Sequence, residues 1–315
     1  MLPCKLSTFA ERVGSRFPLN FGEVCLIVGC GVSPMISLRE TERVALVKLL
    51  SDEDATVLRL LKEQFMEMGQ DGRVFLESVA RGDEPMARRG AKQILVEILE
   101  RDGYEAFACF CASCGSRFDL EPGCWLLAKT RYPELDETPY HVRLDGMARE
   151  LRERLTGRET PRATIEVCNR YFFRRLGFRG NEDDYYDPDN SYLNRVLDRR
   201  LGVPITLSVL YLLIGWRLGL PLQGVNMPGQ FLLKWQSPTV QFFIDPFNEG
   251  QLLDVEDCKS LCEHLGYGFS PAYLAPATSR QMLLRMCRNL QAIYAESDPS
   301  RAAQLGRFIA LLAQV

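Results

Sequence analysis

The stretch VPITLSVLYLLIGWRLG, residues 203–219, constrains the fold more than any other part of the chain. Leu207, Leu210, Tyr211, Ile214 and Leu218 recur every three or four residues, the spacing of one helical face. The residues between them are largely apolar too, so burial nearly all round is expected. Pro204 suits the first turn, where its missing N–H would have had no partner. Such a helix does not lie on a surface; the rest of the chain must wrap it.

Extended sequence follows. LPLQGV (220–225) reads as a strand leaving the helix, and GQFLLKW (229–235) and VQFFIDPF (240–247) as two more, joined by QSPT (236–239). With Trp235 opposite Val240 across a four-residue loop, partner numbers in the antiparallel pair keep a constant sum. Gln230 then stands opposite Asp245, with Cβ atoms about 5 Å apart on one face. The hairpin is expected to set an amide beside a carboxylate, near the first turn of the buried helix.

Upstream, residues 39–103 read as repeated helices. LLSDEDATVLRLLKEQFMEMG and VARGDEPMARRGAKQILVEILERDG carry Asp-Glu at 52–53 and again at 83–84. Each acidic turn precedes an amphipathic helix, near Thr56–Met68 and Met86–Arg101, and places acid at the positive end of the helix dipole. Pro85 falls where a first-turn proline is tolerated. Paired helices at this period resemble HEAT-type repeats, which usually present surface for protein contacts. Before them, VCLIVGCGVSPMIS lacks the Lys and Ser/Thr spacing of a phosphate loop. It reads as a strand or turn packed on the body.

Several segments invite metal chemistry and are better read without it. Cys109, Cys111, Cys114 and Cys124 contain a single C-x-x-C inside a helical pattern, whereas strong zinc signatures pair two such knuckles. Asp183, Asp184, Asp187, Asp189 and Asn190 lack the EF-hand spacing for calcium. Asn190 or Ser191 would instead cap a helix over Tyr192–Arg200, with Gly202 as terminator. A further helix, PRATIEVCNRYFFRRLG, closes at Gly177. Val142, Leu144, Met147, Leu151 and Leu155 mark the buried stripe of another helix, with His141 at or before its start in a surface or capping role.

The order of helix, strand and hairpin, with a polar residue on each hairpin strand, resembles the transglutaminase-like core, whose architecture papain-type cysteine peptidases share. More closely, GNEDDYYDPDNSYLNRVLDRRLGVPITLSVLYLLIGWRLGLPLQGVNMPGQFLLKW (180–235) and FIDPFNEGQLLDVEDC (243–258) resemble the SirB family. That bacterial branch joins a transglutaminase-like core to a TPR-like tail, and MLLRMCRNLQAIYAESDPSRAAQLGRFIALL looks like its helical pair. The resemblance covers about residues 104–315. It implies an α+β, predominantly helical fold: a transglutaminase-like (papain-like) core with a small antiparallel sheet, flanked by helical repeats. The expected divisions are an extension (1–38), HEAT-like repeats (39–103), the core (104–275) and a TPR-like hairpin (276–315).

In the transglutaminase-like family a Cys opens the helix, a His lies on the first hairpin strand and an Asp on the second. The helix N-terminus lowers the thiol pKa, the His takes its proton and the Asp orients the His. Here the Cys position falls at Pro204 to Thr206, and the nearest hydroxyls are Thr206 and Ser208. SirB relatives commonly carry Ser or Thr there. The His position falls on Gln230, where the SirB pattern has Pro-Gly-His-Phe. The Asp position is Asp245. A glutamine can donate to a carboxylate as an imidazole N–H would, but cannot carry a proton between reactants. His264 follows in a helical pattern, DVEDCKSLCEHLG, at a distance along the chain that would require it to fold back.

Composition narrows the functions. Net charge is −3, without the basic face of a nucleic-acid or membrane-surface binder. No apolar run is long enough for a transmembrane helix, and the N-terminus lacks a signal-peptide pattern. Eleven cysteines, an odd number, read as reduced thiols of a cytoplasmic protein. Two histidines, His141 and His264, leave little for hydrolase chemistry. The expectation is a non-catalytic, transglutaminase-like scaffold or regulatory protein that binds a protein or peptide partner. It needs no cofactor or metal and has no catalytic residue; Thr206, Gln230 and Asp245 stand at the degenerate triad positions. The alternative is an amide hydrolase or acyl transferase using Thr206 or Ser208 with Asp245.

Overall fold

The structure, a computed structural model, describes residues 39–314. The sequence readings within 1–38 lie outside the described residues. The chain divides after Asp102 into two compact units.

In the first unit, helices α1 (Glu40–Leu50), α2 (Ala55–Glu67) and α3 (Gln70–Ala80) precede the first half of α4 (Pro85–Ser113). Helix starts recur in steps of about 30 residues, Glu40 to Gln70 and Ala55 to Pro85. Leu46, Leu50, Leu61, Phe65, Leu76, Ala91 and Ile94 form its core. The cap of α2 is Asp54, whose side chain accepts from the Thr56 N–H at 2.8 Å; Asp52 instead accepts from the Asp54 N–H. Gly90 is required by close approach, since a Cβ there would lie 2.2 Å from the Leu50 carbonyl oxygen.

Helix α4 runs on past Arg101, where the sequence pattern had suggested an end. Gly103 does not stop it. A Cβ at that position would lie 2.8 Å from the Lys129 carbonyl, so glycine serves packing within the second unit, at a cost of about 1 kcal/mol of helix propensity.

The second unit is built around α9 (Pro204–Arg217), every residue of which is buried from Pro204 to Gly215. The all-round apolar pattern therefore has the meaning the sequence suggested. Preceding it are α5 (Leu120–Lys129), α6 (Thr138–Arg152), α7 (Pro161–Asn169) and α8 (Leu193–Arg199). Helix α7 continues as a π-helical turn, Arg170–Arg175, and the chain leaves it at Gly177 with φ of 75°. On α6, Leu144, Met147 and Leu151 are buried, but Val142 is 64% exposed and leaves the expected stripe. Helix α8 corrects the capping expectation. It starts one residue later, Tyr192 is its N-cap without a side-chain bond, and Arg200 closes it in a left-handed conformation, φ 62°. Asp187 does the capping, on the short turn Pro188–Ser191.

Strands β1 (Arg179–Gly180) and β2 (Leu201–Gly202) form a small parallel pair. The main sheet is antiparallel with order β6-β5-β4-β3-β7: β3 Leu222–Val225, β4 Leu232–Gln236, β5 Gln241–Asp245, β6 Gln251–Leu253 and β7 Pro276–Ala277. Alternation fills both faces. Leu233, Trp235, Phe242 and Ile244 join the core that surrounds α9. Leu232, Phe243 and Leu253 pack with Cys258 and Cys262 of α10 (Val255–His264).

Helices α11 (Ser279–Ser297) and α12 (Pro299–Ala313) complete the core with Leu283, Met286, Leu290, Leu305 and Phe308. Arg280 on α11 is buried and ties helix ends together. Its guanidinium donates to the carbonyls of Leu312 at 2.7 Å, Leu311 at 2.8 Å and Gln314 at 2.5 Å, and to that of Cys114 just past α4. These are carbonyls that a helix C-terminus leaves without partners. The predominantly helical α+β architecture with a small antiparallel sheet is thus present.

Candidate functional site

The hairpin register differs from the expected one by two. Gln236 pairs with Gln241 and Leu233 with Ile244, around a four-residue loop, Ser237–Val240. The loop length matches the sequence reading, but the first strand ends and the second begins one residue later. Ser237 accounts for this by closing the loop, its N–H donating to Val240 O and its hydroxyl accepting from Val240 N, 3.0 and 3.1 Å. Gln230 consequently lies outside β4, and Asp245 pairs with Gln251 on β6. A shift of two preserves side-chain parity, so Gln230 remains on the same face as Asp245, displaced along the strand.

The two side chains still meet. Gln230 follows a tight turn with Pro228 and a left-handed Gly229, φ 71°, closed by the Gln230 N–H on Met227 O at 3.3 Å. Its Nε2 reaches Asp245 Oδ2 at 3.5 Å, the long end of hydrogen bonding. Asp245 is 2% exposed and has better partners. It caps the turn Pro246–Asn248, with Oδ1 accepting from the Phe247 N–H at 3.0 Å and the Asn248 N–H at 3.4 Å. Oδ2 accepts from Asn248 Nδ2 at 2.8 Å. Burial raises the Asp245 pKa above the ordinary carboxylate value, and the bonds from Asn248 and Phe247 pull it back. The principal amide on this carboxylate is therefore Asn248, which the sequence reading passed over. The segment Asp-Pro-Phe-Asn held the signal, as an Asx-Pro turn.

The hydroxyls are committed elsewhere. Thr206 is fully buried; its Oγ1 donates to Asn190 O at 2.6 Å and accepts from the Val203 N–H at 3.2 Å. It closes the N-terminus of α9 as the third residue of a capping box would. Ser208 is also fully buried and donates to Phe231 O at 3.3 Å. Neither bonds Asp245. Strand alternation adds to this separation, because Asp245 shares parity with Phe243, which packs towards α10, whereas Phe242 and Ile244 pack towards α9.

The remaining candidates take structural places. His264 is exposed at the last turn of α10. Cys111 and Cys124 are buried while Cys109 is exposed, and burial pushes the Cys111 thiol up to about 12. Among the described residues no three His, Cys, Asp or Glu side chains cluster as metal ligands would. In the acidic segment, Asp187 pairs with Arg199 at 2.5 Å and Asp189 with Arg195 at 2.9 Å and with the Tyr132 hydroxyl. Asn190 is a buried buttress. Its Nδ2 donates to Asp184 O at 2.7 Å and its Oδ1 accepts from Asn181 Nδ2 at 3.0 Å.

One polar cluster had no sequence forecast. His141 lies inside α6, and its Nδ1 stands 2.6 Å from Oε1 of the buried Glu121 on α5. Arg217, in the last turn of α9, reaches the other oxygen at 2.7 Å, and the Trp125 indole N–H points at Glu121 from 3.4 Å. No periodicity joins residues 121, 141 and 217, so only the tertiary fold brings them together.

A family model described as the Transglutaminase-like superfamily matches residues 138–288. A UPF0162 protein of Xylella fastidiosa (strain Temecula1) is 40% identical over 180 residues, 55% of this chain and 64% of that protein. A UPF0162 protein of Pseudomonas aeruginosa is 31% identical over 190 residues, 58% of this chain and 67% of that one. F-box only protein 21 of Homo sapiens is 35% identical over 151 residues, 45% of this chain but 24% of its own length. The chain thus spans less than two thirds of the Xylella relative. No solved structure matches.

Proposed function

The chain belongs to the UPF0162 family, and from that premise we propose that it is a non-catalytic, transglutaminase-like protein that acts as an interaction or regulatory scaffold. The observation that carries the reading is the fate of the three triad positions. Thr206 spends its hydroxyl on a backbone carbonyl, Gln230 offers an amide where a base would stand, and Asp245 caps a turn. A hydroxyl without a base is a poor nucleophile at neutral pH.

The reading extends to the flanks. Residues 39–103 act as a HEAT-like contact module, supported by the recurrence of helix starts, and α11–α12 as a TPR-like hairpin of the SirB kind. Their partner is a protein or peptide. The core makes up only part of F-box only protein 21, which fits its use as a module beside other sequence. The cellular setting is cytoplasmic, in keeping with eight free thiols among the described residues. No described helix is long and apolar enough to cross a membrane.

Acyl-directed probes of several classes test the central claim. Neither Thr206 nor Ser208 is expected to be labelled. Labelling at either one that disappears in Asp245→Ala would replace the scaffold with an enzyme.

A further inference from the structure

Beside the turn that leads into Gln230 lies a cation that no acid among the described residues balances. Arg285, on α11, is partly buried and points its Nη1 at Asn226 Oδ1, 3.0 Å, and at Met227 O, 3.4 Å. Both acceptors are neutral, and among the described residues no carboxylate forms an ion pair with it. The ionisable groups whose fields act on Arg285 are the Tyr185 and Tyr267 phenols and a second cation, Arg288. Burial accordingly holds its guanidinium below the usual arginine range. A desolvated charge beside a like charge is unfavourable unless an opposite charge completes the site.

The surroundings say what kind of molecule brings that charge. Asn226 and Met227 lead directly into the Pro228–Gly229 turn, and a Cβ on Gly229 would lie 2.9 Å from Leu265 and 3.4 Å from Tyr267. Leu265 and Tyr267 are exposed, as is Tyr186, at 74%. Tyr185 packs edge-on against Phe247, in the turn that Asp245 caps, with ring centroids 6.0 Å apart. A guanidinium that no described acid pairs thus stands with two phenols acting on it, beside a turn flanked by the exposed Leu265 and Tyr267. A free inorganic anion would use the guanidinium alone. An acidic side chain with apolar neighbours along its own chain would use all of it, and aromatic and Arg side chains are the usual anchors of such contacts.

We propose that Arg285, with Tyr185, Tyr267 and Leu265 beside the Pro228–Gly229 turn, is the receptor for an acidic side chain of a partner peptide. This rests on the scaffold reading and gives it a location and a partner chemistry. Arg288 strengthens the local positive field and so favours encounter with an acidic segment.

The test is panning of a random twelve-residue peptide library on the full chain, followed by affinity measurement of the recovered peptides. Enriched peptides are expected to carry Asp or Glu beside a large apolar residue. Their binding should fall at least tenfold in Arg285→Met and about threefold in Tyr267→Ala, and weaken with added salt. Arg285→Met should leave the thermal midpoint unchanged or raised, because an unbalanced cation is removed; a clear drop would mark Arg285 as a structural clamp and overturn the proposal. No enrichment, or peptides that bind Arg285→Met equally well, would also overturn it. Inorganic phosphate that displaces the peptides at equal concentration would reassign the site to free anions. Peptide binding insensitive to Arg285 would leave the scaffold reading standing, whereas acyl labelling of Ser208 would remove that reading and leave the receptor test intact.

Discussion

Two carboxylates of the second unit, Asp245 and Glu121, are both buried and both touch the side chain that a catalytic reading would examine first. Glu121 holds a histidine at 2.6 Å, closer than Asp245 holds its glutamine at 3.5 Å. The His–carboxylate geometry of a triad thus exists in this molecule, but not at the triad positions. At Glu121 there is no nucleophile to serve. Cys124, one turn along α5, is 1% exposed, its thiol is pushed far up by burial, and its sulfur contacts Met286. At Asp245 the acid is present, its neighbour in the place of a base is an amide, and the α9 hydroxyls bond elsewhere. A pair at good distance is a support until an accessible nucleophile joins it. The other lesson concerns what each acid holds: Asp245 holds backbone N–H groups of its own turn, Glu121 holds side chains from α6 and α9.

That contrast can be broken most sharply at Asp245. Asp245→Ala leaves two backbone N–H groups and the Asn248 amide without their acceptor, and should cost about 3 kcal/mol in urea unfolding. A loss under about 1 kcal/mol would mean that water reaches the turn and that the cap is dispensable. Glu121→Gln should cost less, about 2 kcal/mol, because His141 and Arg217 are partly exposed and recover water contacts. A larger loss there than at Asp245 would reverse the ranking.

Gln230→His would place beside Asp245 the pair that α5 and α6 already make. Stability should change by less than about 1 kcal/mol. Beside Asp245 the introduced imidazole should titrate above its unperturbed value of about 6.5 by NMR. Its contribution would be full below that value and lost as pH rises through the folded pKa. Titration at or below about 6.5 would show that Asp245 is occupied by Asn248 alone.

The smallest effect is a pH dependence. Folding raises the pKa of Asp245, so the folded state binds more proton than the unfolded state just above the ordinary carboxylate range. Stability of the parent relative to Asp245→Asn should therefore fall as pH rises from about 4 through the folded pKa, by about 1 kcal/mol or less. Paired denaturation curves isolate this from groups such as Asp189 and Glu42, whose pKa values are lowered and act in the opposite sense. A flat difference would place Asp245 in better contact with solvent than its burial indicates.

The sequence carried the apolar α9 and the hairpin after it because their signals are local: periodicity, a proline in the first turn, a loop of ordinary length. It carried the Gln230–Asp245 meeting although the register was wrong by two, since parity survives an even shift. Asp-Pro-Phe-Asn carried the Asx-Pro signal for Asn248, but reading 240–247 as one strand runs over it. Asn190 was read as a cap, the commonest place for such a residue; the fold uses its two-sided amide to hold the Asp184–Tyr185 segment. The sequence offers Thr206 as a nucleophile in the alternative reading, whereas its bond to Asn190 O depends on a contact 16 residues away. The Glu121 cluster joins three separate helices and has no local trace.

Arg280 has a consequence for the order in which the molecule can be completed. Its side chain is satisfied by carbonyls at Cys114 and at Leu311, Leu312 and Gln314. Those acceptors are about 200 residues apart, which at roughly 5–20 residues per second of synthesis separates them by about 10–40 s. Until residues 311–314 emerge from the ribosome, the second unit has an unfinished wall. The described helices before residue 103 have their core partners close behind them and can close early. A nascent chain is therefore expected to hold a folded first unit while the second is still incomplete, and the second to stay exposed to chaperones until α12 has emerged.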